Sequence, residues 1–200
     1  LRLARTAYDE GVPSGPFDLR RAALLVIDMQ AEFVEPGWTA SWVPEATRLI
    51  PRLAHILQAV RAAGLPVIHT AFAATHFFRD RPRAGATMPN RYPGEPSDGL
   101  CVTPRFPPEL TPRPDEVLIL KPSYGAFYDT PLDTILRNLG CDTVIVTGTM
   151  TNLCCGTTAR QAYERGYHVV FGADLTATND AEIQVAELKT LRYGFARVVT

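Results

Sequence analysis

Short apolar runs alternate along this chain with stretches in which apolar residues recur at helical spacing. Six runs are rich in β-branched or aromatic residues and predict strands. They lie at 23–27, 67–70, 117–120, 143–147, 168–171 and 195–199. Strands that alternate with helices build parallel sheets, so the pattern predicts an α/β fold with a parallel sheet.

Helical spacing is clearest between the first two runs. Ala46, Ile50, Leu53, Leu57 and Val60 are four, three, four and three residues apart and predict one apolar helix face. Further helices are expected from Thr130-Pro131, from about Leu153 to Arg165, and from Asn179.

One stretch interrupts the alternation. Residues 79–114 hold nine prolines and six arginines, with little apolar periodicity. So long an irregular segment within one domain is typical of a lid or a subunit-contact arm, although a solvated loop fits as well. Because no repeat or flexible linker divides the chain, we expect residues 1–200 to form a single domain.

Charge and composition exclude several classes of protein. The 200 residues carry 20 Lys and Arg against 21 Asp and Glu, so the net charge of −1 gives no bulk attraction to nucleic acid or an anionic membrane. No apolar stretch reaches the roughly 20 residues of a membrane span. Residues 1–6 lack the apolar core of a signal peptide, which predicts a cytoplasmic protein with reduced thiols.

Metal ligation is not expected. The four cysteines have no C-x-x-C spacing, and the four histidines are dispersed. We therefore predict no metal and no other cofactor.

Reactive side chains follow three of the predicted strands. Asp28 ends the first run, Lys121 ends the third, and Cys154 lies just after the fourth, at the start of a helix, and we expect these three strand ends to be neighbours. Ligands of open α/β sheets bind at the carboxyl ends of the strands, so the three predict a catalytic cluster. Each also has an ordinary structural interpretation: a turn former, a solvated lysine and an inert core cysteine.

Cys154 is the strongest candidate nucleophile. A helix N-terminus and a nearby ammonium both stabilise a thiolate, which predicts a lowered thiol pKa. Cys155 is about 100° further round the helix and is expected to pack against the sheet.

Three segments, in this order, resemble the signatures of the isochorismatase-like cysteine hydrolases. They are Asp28-Met29-Gln30 followed by Phe33, Lys121-Pro122-Ser123-Tyr124-Gly125-Ala126-Phe127, and Thr147-Gly148-Thr149-Met150-Thr151-Asn152-Leu153-Cys154. The resemblance covers roughly residues 20–200. It implies a three-layer α/β/α sandwich with a six-stranded, mostly parallel sheet.

The resemblance also implies a catalytic triad. Cys154 would attack an amide or ureido carbonyl, Asp28 would accept the thiol proton, and Lys121 would keep Asp28 ionised. A cis peptide would join Thr149 to Met150, and the backbone N–H groups of Met150 and Cys154 would form the oxyanion hole.

These residues favour a metal-independent cysteine amidohydrolase that acts on a small amide, an N-carbamoyl-type ureide or a lactam. The region after the second strand has no Asp-x-His pattern, which makes a zinc-dependent nicotinamidase less favoured. Two alternatives stay open, an isochorismatase-type vinyl-ether hydrolase and a non-catalytic binding protein. Members of the family are commonly homodimers or homotetramers.

Expectations for the substrate pocket follow from position alone. Aromatic side chains that could form its wall are Phe33, Trp38, Tyr124 and Phe127, and Thr151 is a further candidate substrate contact. Arg79 or Arg83 could pair with a substrate carboxylate, although a solvated position fits either of them.

Overall fold

Six parallel strands form one sheet in the order β3-β2-β1-β4-β5-β6. The structure is a computed structural model that describes residues 7–11, 18–38, 41–73, 75–76, 79–82 and 104–200. The strands are β1 Ala22–Ile27, β2 Val67–Phe72, β3 Val117–Lys121, β4 Thr143–Thr149, β5 His168–Ala177 and β6 Arg197–Val199. The predicted parallel α/β sheet is confirmed.

The helices fall between these strands. They are α1 Ala31–Val34, α2 Pro44–Ala62, α3 Leu132–Asn138, α4 Gly156–Glu164 and α5 Ala181–Gly194. Short 3₁₀ turns lie at Leu19–Arg21 and Pro108–Leu110, and a π-helical turn, Thr151–Cys155, leads into α4.

Each face of the sheet carries its own apolar core. β1 is buried along its whole length, and its side chains alternate between the two faces. Leu25 and Ile27 pack with residues of α3, α4 and α5, whereas Leu24 and Val26 pack with the buried stripe of α2. Helices therefore cover both faces, as the three-layer α/β/α prediction requires.

Some element boundaries differ from the prediction. The last helix does not begin at Asn179, because the carboxylate of Asp180 accepts the N–H of Ile183 and caps a helix that starts at Ala181. On α2 the side chains of Ile50 and Val60 are only half-buried, since the stripe facing the sheet runs through Leu49 and Ala54 instead.

The described part of the proline-rich segment at 104–114 contacts the domain, although several of its side chains are exposed. The Ala31 N–H donates to the Arg105 carbonyl at 2.8 Å, and Leu110 is fully buried. Residues 83–103 lie outside the described residues. Whether this segment is a lid, a subunit-contact arm or a solvated loop therefore stays a prediction. No helix in the described part of the chain combines the length and apolarity needed to cross a bilayer.

A buried polar cluster joins α2 to strands β2 and β3. Arg61 Nε and Nη2 donate to the Glu116 carboxylate at 2.6 and 2.7 Å, and His69 Nε2 lies 3.1 Å from Glu116 Oε2. Burial lowers the pKa of His69 to about 4, although Glu116 opposes the shift. Burial alone would raise the pKa of Glu116, but hydrogen bonds from Arg61 and the Arg113 N–H bring it down to about 2.

This cluster predicts how stability depends on pH. Between pH 6.5 and about 4 the unfolded chain protonates His69 while the folded protein resists, so the free energy of unfolding should fall as pH falls. Each proton contributes a slope of up to about 1.4 kcal/mol per pH unit. Urea unfolding at several pH values should show that His69→Gln flattens this slope.

The exposed His55 supplies the matched control, because His55→Gln should leave the slope unchanged. Glu116 adds a second loss of stability below its ordinary pKa of 4.5, which both variants should retain. A slope between pH 6.5 and about 5, above the range in which Glu116 contributes, that survives in His69→Gln would contradict the assignment.

Candidate active site

The structure brings Asp28, Lys121 and Cys154 together at the carboxyl edge of the sheet. Lys121 Nζ lies 2.6 Å from Asp28 Oδ2, and both side chains are completely buried. Cys154 is only 6% exposed, and both Asp28 and Lys121 act on the pKa of its thiol. The three side chains form one interacting group that is shielded from water.

Asp28 is held at the end of β1 by the neighbouring strand. Its N–H donates to the Thr70 carbonyl at 3.2 Å, and the Thr70 hydroxyl donates to Asp28 Oδ1 at 2.6 Å. The residue has a φ of 50°, a left-handed conformation that is uncommon for a side chain other than glycine. One carboxylate oxygen therefore accepts from Thr70, and the other faces the lysine.

Lys121 reaches the Asp28 carboxylate from β3, which is not a neighbour of β1. The expectation of three neighbouring strand ends is therefore wrong. β2 lies between β1 and β3, so the lysine side chain must pass the end of β2. Its Nζ also donates to the Ser123 carbonyl at 2.9 Å. Burial alone would lower the pKa of Lys121, but Asp28 and Cys154 together raise it, which keeps the ammonium charged.

A close approach between β1 and β4 sets the position of the turn that carries Cys154. A Cβ at Gly148 would lie 2.1 Å from the Ile27 carbonyl oxygen, and the residue has a φ of 111°, so only glycine fits. The peptide bond between Thr149 and Met150 is cis. The π-helical turn follows at once and carries Cys154 on its fourth residue.

The surroundings of Cys154 favour the protonated form of its thiol. Burial raises its pKa to about 12; Lys121 opposes the shift and Asp28 adds to it. The expectation of a lowered pKa is therefore wrong, because the loss of water outweighs the lysine. Such a thiol needs a base to ionise at neutral pH.

Cys155 takes the packing position expected for it. It is fully buried and its Sγ lies 3.8 Å from the Thr147 carbonyl oxygen. Burial raises the pKa of its thiol well above the ordinary value. The two adjacent cysteines thus differ in their access to Asp28 and Lys121.

The candidate pocket residues have varied surroundings. Trp38 is partly exposed with the Arg105 guanidinium 4.0 Å from its ring centroid, and Phe33 packs in the core on the α2 face. Phe127 packs in the opposite core, and Tyr124 lies half-buried against that core. Thr151 is fully buried, and among the described residues its hydroxyl has no hydrogen-bond partner. Their contact with a substrate stays a prediction.

Of the arginines considered for a substrate carboxylate, Arg79 is exposed and Arg83 lies outside the described residues. Sequence reasoning did not single out Thr70 or Phe72, whose ring centroid is 5.3 Å from Lys121 Nζ. Both lie at the carboxyl end of β2, and that position was the available signal.

Among the residues described, no three His, Cys, Asp or Glu side chains come close enough together to hold a metal ion. His69, on β2, pairs with Glu116, the residue before β3, and does not join the group around Cys154. The absence of a metal from the site stays a prediction.

Two relatives are amide hydrolases by name. Nicotinamidase 3 of Arabidopsis thaliana is 48% identical over 86 residues, which span 43% of this chain and 43% of the plant protein's length. Ureidoacrylate amidohydrolase RutB of Methylorubrum extorquens is 32% identical over 185 residues, covering 80% of this chain and 71% of that protein.

The fold and the sequence lead to the same family. A cysteine hydrolase from Pseudomonas syringae pv. phaseolicola superposes with a TM-score of 0.82 at 32% identity, over 94% of this chain and 92% of that structure. Residues 22–200 match the isochorismatase domain. This chain, with its six-stranded parallel sheet and its Asp28, Lys121 and Cys154 at the strand ends, belongs to the isochorismatase family.

Proposed function

We propose that this protein is a metal-independent cysteine amidohydrolase that cleaves the C–N bond of a small amide, ureide or lactam through a thioester. The buried pair of Asp28 and Lys121 beside the Cys154 thiol carries the proposal. A buried ion pair adds little net stability, because desolvation offsets the attraction between the charges. Its place beside a thiol is better explained by chemistry.

Acylation begins with a proton transfer. Because the pKa of the Cys154 thiol is about 12, Asp28 takes the thiol proton as the sulfur attacks the substrate carbonyl. The Lys121 ammonium stabilises the negative charge that develops on sulfur. The C–N bond then breaks, and the leaving amine departs with the proton from Asp28.

Deacylation reuses the same base. Asp28 removes a proton from water, the hydroxide adds to the thioester carbonyl, and the C–S bond breaks. The proton on Asp28 returns to the Cys154 sulfur, so the net reaction is hydrolysis. In both halves the oxyanion is bound by the backbone N–H groups of Met150 and Cys154, in keeping with the family resemblance.

The substrate would lie against the aromatic side chains Phe33, Trp38, Tyr124 and Phe127. The buried Thr151 hydroxyl finds no hydrogen-bond partner in the described part of the chain, which supports a polar contact with the substrate. The similarity to ureidoacrylate amidohydrolase supports the ureide class, and that to nicotinamidase 3 supports a simple carboxamide.

A vinyl-ether hydrolase is the second candidate function, because Asp28 has the position of a general acid as well as that of a base. A binding protein on the same fold is the third, and it would need an inert Cys154. The free thiols of Cys141, Cys154 and Cys155 support a reducing cytoplasmic compartment.

The first prediction concerns turnover. Wild-type protein should release ammonia or an amine from at least one of N-carbamoyl amino acids, ureidoacrylate, biuret, maleamate and nicotinamide, or open a lactam with a matching mass change. Cys154→Ala should abolish this activity, because it removes the sulfur that forms the thioester. Cys141→Ala removes a free thiol outside the site and should retain the activity.

Other outcomes would favour the alternatives. A vinyl-ether substrate that is cleaved by Cys154→Ala but not by Asp28→Asn would replace the amidohydrolase proposal with the second candidate. Tight binding of a panel compound that wild-type protein never turns over would favour the binding protein.

The second prediction separates ionisation of the thiol from proton transfer. Asp28→Asn removes a negative charge that raises the Cys154 pKa and leaves the Lys121 ammonium, so the thiol pKa should fall below about 12. Turnover should nevertheless be lost with the base. Thiolate absorbance at 240 nm, titrated against the matching double variant with Cys154→Ala, measures the pKa.

An unchanged or higher thiol pKa in Asp28→Asn would show that the carboxylate does not act on the sulfur. Retained turnover would remove Asp28 from its role as base.

The third prediction concerns assembly. We expect a homodimer or a homotetramer, in keeping with the family resemblance, and sedimentation velocity at micromolar concentration should show it. A compact 22.0 kDa monomer under those conditions would contradict this expectation.

A further inference from the structure

One buried hydroxyl joins the nucleophile to the loop that follows the catalytic lysine. Thr158, on the first turns of α4, is fully buried. Its Oγ1–H donates to the Cys154 carbonyl at 2.6 Å, and the same oxygen accepts the Ala126 N–H at 3.0 Å. The hydroxyl therefore links the backbone of Cys154 directly to the loop of residues 122–128, the lysine loop.

A second side chain of α4 grips the next residue of that loop. Gln161 Oε1 accepts the Phe127 N–H at 3.2 Å. Gln161 and Thr158 are three residues apart and share one face of the helix. Together they hold two consecutive N–H groups of the lysine loop.

Gly125 leaves the space that this contact needs. A Cβ at this position would lie 2.1 Å from Gln161 Oε1, which no real contact allows. The absence of a side chain at Gly125 is thus what lets the glutamine reach the loop.

The lysine loop in turn fixes the ammonium. Lys121 Nζ donates to the Ser123 carbonyl at 2.9 Å and lies 2.6 Å from Asp28 Oδ2. A shift of the loop would move the Ser123 carbonyl and, with it, the charge that lowers the Cys154 pKa. The position of the ammonium relative to sulfur therefore depends on the link through α4.

We infer that Thr158, assisted by Gln161, is a positioning residue that fixes the Lys121 ammonium relative to the Cys154 sulfur. The inference rests on the proposed cysteine chemistry. Thr158 acts through the backbone of Cys154 and through the lysine loop, and it needs no contact with substrate. Its loss should therefore affect kcat rather than KM.

The test compares Thr158→Val with Thr158→Ser. Valine keeps the shape and removes both hydrogen bonds, whereas serine restores the hydroxyl. Thr158→Val should lower kcat by roughly tenfold to a hundredfold with little change in KM, because small displacements of catalytic groups cost that much. It should also raise the Cys154 thiol pKa, read from absorbance at 240 nm, and Thr158→Ser should reverse both effects.

Thr190 provides the matched control. Its hydroxyl donates to the Ala186 carbonyl at 3.0 Å, the same bond to the residue four positions earlier, on α5. Thr190→Val should leave kcat and the thiol pKa unchanged.

Gly125→Ala tests the link without touching either bond of Thr158. The new methyl group should displace the Gln161 side chain, lower kcat and raise the thiol pKa in the same direction. A Thr158→Val protein that melts at a lower temperature but keeps the wild-type kcat and thiol pKa would overturn the inference and leave Thr158 a purely structural residue.

Failure of the proposed function can be told apart from failure of this inference. If wild-type protein hydrolyses no compound, the result counts against the amidohydrolase proposal. The thiol titration still tests whether Thr158 positions Lys121 relative to Cys154. A thiol pKa that does not move in Thr158→Val would then refute the positioning role on its own.

Discussion

The ion pair between Asp28 and Lys121 is the interaction on which the rest of this site depends. With no water around it, the carboxylate must find every partner in the protein. The Thr70 hydroxyl donates a hydrogen bond to one carboxylate oxygen, and the Lys121 ammonium lies beside the other. The ammonium also donates a hydrogen bond to the Ser123 carbonyl. Removing either charge would leave the other buried and uncompensated, which is far more costly than exchanging both.

The sheet order explains why a lysine is suited to this pairing. A cationic side chain on β3 must extend past the end of β2 to reach the carboxylate on β1. The four-carbon side chain of lysine spans that distance within apolar surroundings. The centroid of the Phe72 ring lies 5.3 Å from Nζ, so an aromatic side chain flanks the buried ammonium. A shorter cation on the same strand would leave Asp28 unpaired.

Sequence reasoning reached the fold and the three reactive side chains because apolar runs and strand ends leave clear patterns. It could not reach the sheet order, since β3 lies two places from β1 and periodicity says nothing about which strands are neighbours. It assigned Cys154 a lowered pKa because burial of a single thiol leaves no mark in sequence. Thr158 was missed for a related reason: its two partners are Cys154, four residues away, and Ala126, 32 residues away.

The protonated state of Cys154 has a consequence for the durability of the protein. Peroxides and electrophilic metabolites react with thiolates and scarcely with thiols. Cys154 is only 6% exposed and burial raises the pKa of its thiol to about 12, so we expect it to react slowly with such compounds. In the proposed mechanism the thiol ionises only when a carbonyl compound is bound, and the same burial should guard the Cys154 sulfur against irreversible oxidation.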